Sequence, residues 1–236
     1  MSKSISAMGA APQDKVNNWY DKIGVKKTKV DENYKKHMIE PKSMIVCIGG
    51  TGAGKTNALL EFLNRKNSAF TELIIFTGST ADEPIYQFIK SKIPETLLIN
   101  NIADLPELTT FDDDDKASEK LIVFDDFINL PKKDFKKINE YLTSGRKFGF
   151  TCFVMAQNYT SIPKIITRNA HYFIIFRLND NVTIQNILKN HNISNLKPED
   201  FKHYYLKATS QPRDFFMVDL RNNNIRHNFL DILQKF

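Results

Sequence analysis

The sequence predicts an α/β fold with a largely parallel central sheet flanked by helices. Three observations carry that expectation. Short apolar runs recur at 44–48, 73–77, 121–125, 150–156 and 172–176, the pattern of strands buried on both faces. Segments with helical composition or spacing lie between them. A glycine-rich octapeptide, Gly49-Gly50-Thr51-Gly52-Ala53-Gly54-Lys55-Thr56, stands where the first run meets a helical segment. Strand, glycine turn and helix N-terminus are the context in which such a loop cradles phosphate.

Composition sets the limits. At 236 residues, 42% hydrophobic and 25% charged, the chain reads as one ordinary globular domain able to bury most of its apolar surface. No apolar run reaches membrane-spanning length, and Met1-Ser2-Lys3-Ser4-Ile5 lacks the apolar centre of a secretory signal. Cys47 and Cys152 fall inside apolar runs and read as small core residues rather than a disulfide. The net charge of +6 favours a polyanionic partner.

That charge is unevenly placed. Residues 1–42 hold nine lysines against five acids, a local +4, and form a basic N-terminal extension to a domain over 43–236. Val16, Trp19, Tyr20 and Ile23 have the spacing of a short amphipathic helix that docks on the body or on a neighbour. The arm either contacts nucleic acid or a subunit, or is simply solvated.

The octapeptide carries the first chemistry. Its glycines let successive N–H groups face phosphate oxygens, and the helix dipole adds positive charge there. Lys55 is placed to reach the outer phosphates and the Thr56 hydroxyl to ligate magnesium; Asn57 opens the helix. The chain is therefore expected to bind a nucleoside triphosphate. Downstream come the 73–77 strand, a helix from Pro84 to about Lys90 and a minor strand at 97–99. Asp112 to Asp115 reads as a solvated loop, since four adjacent carboxylates cannot all face one ion.

The strand at 121–124 ends in Asp125-Asp126. A carboxylate at such a strand tip holds the metal shell opposite the Lys/Thr pair, a role assigned to Asp125. Asp126 is assigned as the base that orients and deprotonates an attacking water. From Pro131 to Leu142, Phe135, Ile138, Tyr141 and Leu142 form one helical stripe, with Lys132, Lys133, Lys136 and Lys137 outside it and Gly145 as the stop. Those lysines are a solvated face or contact a threaded polymer. The 150–156 strand leads to Gln157 beside the phosphate loop, where open parallel sheets bind ligands. Arg146 sits at the opposite end of the same strand, too far for its own nucleotide but placed for a neighbour's.

Taken together, Lys36-His37-Met38-Ile39-Glu40-Pro41, the strand ending in Asp125-Asp126, Gly145-Arg146-Lys147 followed by a strand to Gln157, and the stretch 158–176 resemble the FtsK–HerA superfamily. The likeness within it is to single-domain genome-packaging ATPases of poxviruses and related large DNA viruses and virophages, and it covers about 36–178. It implies a RecA-like P-loop NTPase that uses ATP and Mg2+ and forms a ring, with a hexamer as the expected size. It implies sequence-nonspecific pumping of double-stranded DNA into a preformed capsid, with a capsid or portal protein as partner. The host cytoplasm or the virion is the expected location. It carries over Lys55 as phosphate lysine, Asp125 and Asp126 as metal and water carboxylates, Gln157 as sensor and Arg146 as a finger acting in trans. One departure stands out: many relatives place Glu where this chain has Asp126.

Other classes fit less well. A guanine-reading Asn-Lys-x-Asp motif is missing, since Pro131-Lys132-Lys133-Asp134 begins with proline. Arg168, Arg177, Arg213, Arg221 and Arg226 are too scattered for a kinase lid. The tail, with its strand-like run at 215–218, turn at 222–224 and amphipathic end at 229–236, reads as sheet extension and subunit docking. The alternative function is a ring ATPase that remodels or loads other proteins.

Overall fold

A computed structural model describes residues 16–24, 32–67, 70–78, 83–111, 118–127, 130–193 and 195–236. Asp112 to Asp115, read as a solvated loop, lie outside the described residues. Nine strands among the described residues form a single sheet: β1 (Met44–Ile48), β2 (Glu72–Thr77), β3 (Leu97–Ile99), β4 (Lys120–Asp125), β5 (Phe150–Ala156), β6 (Tyr172–Ile175), β7 (Phe216–Asp219), β8 (Asn224–His227) and β9 (Asp231–Lys235). Their order is β3-β2-β4-β5-β1-β6-β7-β8-β9. The first six in that order run parallel and the last three add on antiparallel.

The helices are α1 (Trp19–Lys22), α2 (Tyr34–His37), α3 (Lys55–Arg65), α4 (Pro84–Lys92), α5 (Lys132–Ser144), α6 (Lys164–Asn169), α7 (Val182–Asn190) and α8 (Pro198–Ala208). Because side chains alternate along a strand, β1 feeds two cores. Met44, Val46 and Ile48 pack with α5, α6, α7 and α8 through Ile138, Ile166, Ile187 and Phe201. Ile45 and Cys47 pack with α3 and α4 through Leu59, Phe62, Tyr86 and Ile89. All five β1 residues are buried, as the unbroken apolar run requires of a strand covered on both sides. Cys47 and Cys152 are free and buried, and burial pushes the Cys152 thiol up to about 12.

Several expected elements differ in detail. α5 ends at Ser144 with Gly145 as its C-cap, where the sequence places the stop, but Gly145 keeps helical dihedrals, φ −54°, and a 3-10 turn carries the chain on to Phe148. The reversal comes at Gly149, φ 91°, where a side chain would meet the Ser118 carbonyl at 2.6 Å. The segment after β6 holds α7 and α8, not foreseen because their apolar positions are diluted by polar ones. Residues 231–235, amphipathic in sequence, form the edge strand β9, in line with the sheet extension expected of the tail. Among the described residues the expected N-terminal helix is α1 alone, and Val16 and Ile23 stay 93% and 70% exposed, so these side chains do not dock on the body.

The antiparallel extension is locked to the segment before β1. Fully buried Arg226 donates to Asp219 and Asn224 and to the Phe229 and Met38 carbonyls. Arg221 pairs with Glu40 at 2.8 Å. Every buried guanidinium nitrogen of Arg226 has a partner, as an interior charge demands.

Candidate functional site

The site grows out of β1. The loop after Ile48 is closed by Gly49 N–H donating to the Ala156 carbonyl at 3.1 Å and Ala53 N–H donating to that of Gly50 at 3.1 Å. Gly54, at φ 115°, forms the N-cap of α3, in a left-handed conformation that a side chain would strain. The first turn of α3 carries no acid, so its dipole end is left for an anionic ligand. The Lys55 ammonium donates to the Gly49 and Gly50 carbonyls at 2.8 and 3.1 Å, lying across the loop it would neutralise.

Strand order brings the second half of the site to this loop. β5 is inserted between β1 and β4, with Ile48 level with Ala156 and Asp125 level with Met155. Gln157, the next residue, therefore stands between the phosphate loop and the two carboxylates. A cavity of about 490 Å³ is lined by Thr51, Gly52, Lys55, Thr56, Asp125, Asp126 and Gln157. Thus Lys55, Thr56, Asp125, Asp126 and Gln157, nominated from separate stretches of sequence, meet in one hollow. Gly49, Gly50, Ala53 and Gly54 shape the loop itself. Asn57 faces elsewhere, onto a larger hollow of about 760 Å³ along the outer flank of α3. That hollow is lined by neither Asp125 nor Asp126 nor any loop glycine, so chemistry rather than volume selects the smaller one.

The two carboxylates differ. Burial raises the Asp125 carboxyl above its usual range, while the Tyr86 hydroxyl and the Lys55 charge oppose that rise. Tyr86 is fully buried and donates to Asp125 Oδ2 at 2.5 Å. Asp126 is exposed and takes a left-handed backbone, φ 49°, which ends β4 and turns the chain. Gly78 makes this turn possible: a Cβ there would lie 2.0 Å from the Asp126 carbonyl oxygen. A hydroxyl and a carboxylate oxygen facing a solvent-connected hollow are hard donors suited to magnesium, so the residues present fit that ion.

Sequence reasoning missed Tyr86, Gly78, Glu83, Asn158 and Ser161, the last three lining the cavity. It also missed the placement of Arg213, whose Cγ and Cα lie 3.3 and 3.5 Å from where a Gly54 side chain would begin. None stands in a motif; only the folded sheet brings them to the loop. The other scattered arginines build no lid. Arg226 is buried and Arg221 paired, while Arg177 donates to the Leu206 carbonyl at 3.4 Å.

Arg146 lies at the opposite sheet edge, as the sequence places it. There it lines a cavity of about 510 Å³ with Lys42, Ser43, Lys147, Arg168 and His171. Burial, with Arg221 and Arg146 adding repulsion, lowers His171 to about 4. Lys42 is lowered too, by burial first and then by Lys120.

A loop-bound lysine, a half-buried strand-tip carboxylate and an intervening strand leading to glutamine accompany a match of residues 31–206 to the model of one family, the poxvirus A32 protein. The chain belongs to the poxvirus A32 protein family. Among solved structures, this A32-family chain is similar to B204, the DNA-packaging ATPase of Sulfolobus turreted icosahedral virus. The two are 15% identical with a TM-score of 0.57, covering 80% of this chain and 98% of that one. The genome-packaging NTPase B204 of Sulfolobus turreted icosahedral virus 2, solved with sulfate, is likewise 15% identical at TM-score 0.57, over 84% and 100%. ATPases 2 and 3 of EssC from Geobacillus thermodenitrificans are 14% identical at TM-score 0.54, over 81% and 40%. At such identities the likeness is one of fold, that of P-loop NTPases. No curated protein matches the A32-family chain in sequence. No helix among its described residues is long and apolar enough to cross a membrane.

Proposed function

We propose that this chain is an ATP hydrolase that drives double-stranded DNA through a ring of its own copies, packaging a viral genome into a preformed capsid. The observation that carries the reading is the single cavity uniting Lys55, Thr56, Asp125, Asp126 and Gln157. Membership of the A32 family and a fold shared with proteins described as DNA-packaging ATPases direct it toward packaging.

In this mechanism the loop amides and Lys55 hold the triphosphate. Gln157 and Asp126 orient a water in line with the terminal phosphorus. The water oxygen bonds to phosphorus, the bond to the bridging oxygen breaks, and the water's proton passes to Asp126 as ADP and phosphate form. Thr56 and Asp125 would hold Mg2+, which supplies charge neutralisation on the phosphates. Asp126 is short for a base, and its exposed position in the turn after β4 leaves room for water between it and the phosphate.

Arg146 acts on a neighbour. The sheet lies between it and its own cavity, so its guanidinium serves the triphosphate of the next subunit, with Arg168 and Lys147 in the same basin. The ring is expected to be a hexamer working in the host cytoplasm or on the virion, with a capsid or portal protein as docking partner. DNA contacts through phosphates would give little sequence preference. ATP turnover by the purified chain with and without double-stranded DNA tests this. Strong stimulation by DNA is expected, whereas indifference to DNA with stimulation by a protein partner would replace the motor with a protein-remodelling ATPase.

A further inference from the structure

We propose that Tyr86 is a positioning residue for the metal site, holding the Asp125 carboxylate through one buried hydroxyl. The inference rests on the reading of Thr56 and Asp125 as the magnesium-holding pair, and goes beyond it by adding a third group that neither the phosphate loop nor the strand-tip acids contain.

The geometry is direct. Tyr86 lies in the first turn of α4, three residues after Glu83, which lines the same cavity. Its ring is fully buried in the core formed with Ala58, Leu59 and Ile89, so its hydroxyl has few ways to be satisfied. It donates to Asp125 Oδ2 at 2.5 Å, so the proton of this hydroxyl points to the carboxylate.

This hydrogen bond has a consequence for metal binding. The Tyr86 proton fixes Oδ2 of Asp125 and leaves Oδ1 for the metal shell. Such outer partners hold a ligand's rotamer, and their loss typically weakens metal binding about 10–100-fold. A packing role alone would require the ring but not the hydroxyl, and Tyr86→Phe separates the two.

The test uses the full chain and measures affinity for a slowly hydrolysed ATP analogue by calorimetry, with Mg2+ and with chelator. For Tyr86→Phe, the gain in affinity that Mg2+ brings should shrink about tenfold, with metal-free affinity and apo melting temperature near wild type. An unchanged gain would overturn the inference, as would an equal loss of affinity with and without metal, which would mark a purely structural tyrosine. Asp125→Asn should also lose the gain, and adding Tyr86→Phe to it should cost little more. If Asp125→Asn keeps the full gain, the reading of Asp125 as metal partner fails first and takes this inference with it. A full loss for Asp125→Asn beside an unaltered Tyr86→Phe leaves that reading standing and removes Tyr86 alone.

Discussion

The two edges of the parallel sheet are both charged, yet they are built differently. At the edge where β1, β4 and β5 end, Lys55 shares its cavity with Glu83, Asp125 and Asp126, so cation and acids meet inside one chain. At the edge where the same strands begin, Lys42, Arg146, Lys147 and Arg168 line a cavity with no carboxylate among its lining residues. The first edge is assembled for chemistry by folding alone. The second places cations where burial first and neighbouring positive charge second lower Lys42 and His171. Parallel strands explain the division: every strand end that follows a crossover carries its loop to one side, and every strand start to the other.

The largest expected effect comes from emptying the first edge of its cation. Lys55→Ala should abolish nucleotide binding or lower turnover at least ~10³-fold, the scale set by single phosphoryl-stabilising cations; equilibrium ATP binding and steady-state hydrolysis read it. Arg146→Ala attacks the second edge. It should leave ATP affinity unaltered and reduce hydrolysis by roughly 10³-fold or more in the assembled ring. Wild-type turnover in that variant would dissolve the contrast between the edges and leave the basin without a role in hydrolysis.

A smaller effect probes how the first edge is shaped. Gly78→Ala would thrust a methyl against the Asp126 carbonyl, and overpacking of this kind costs about 1–3 kcal/mol. Thermal melts should show the loss, and hydrolysis should fall further than ATP binding because Asp126 is displaced while the loop is not. The smallest effect belongs to His171, whose Nδ1 accepts from Met44 N–H at 2.9 Å. Its folded value, about 4, lies below the ordinary 6.5, so below pH 6.5 the unfolded chain takes up more protons. Stability should therefore decline as pH falls from about 6.5 toward 4. His171→Asn keeps an acceptor but cannot titrate, and denaturant melts across this range should show a shallower decline.

Local pattern made the parallel strands and the phosphate loop legible. An apolar run such as 44–48 can only be buried on both faces, and Gly49 to Thr56 can only form a loop between strand and helix. The strand-tip acids and Gln157 were legible because chemistry at the end of an apolar run faces the same sheet edge as its neighbours. The end of α5 at Gly145 was legible too, but the 3-10 turn after it was not, because the reversal falls at Gly149, φ 91°, where the distant Ser118 carbonyl leaves no room for a side chain.

By itself, then, the order of residues determined which polar side chains meet at the edge of the sheet where β1, β4 and β5 end, since that placement follows from position at the end of a strand or the start of a helix. The tertiary structure alone decided that β5 lies between β1 and β4, that Tyr86 reaches Asp125 from a helix on another crossover, and that Arg226 is an interior clamp rather than a ligand for phosphate. Each of these depends on contacts between segments far apart in the chain, which no local pattern encodes.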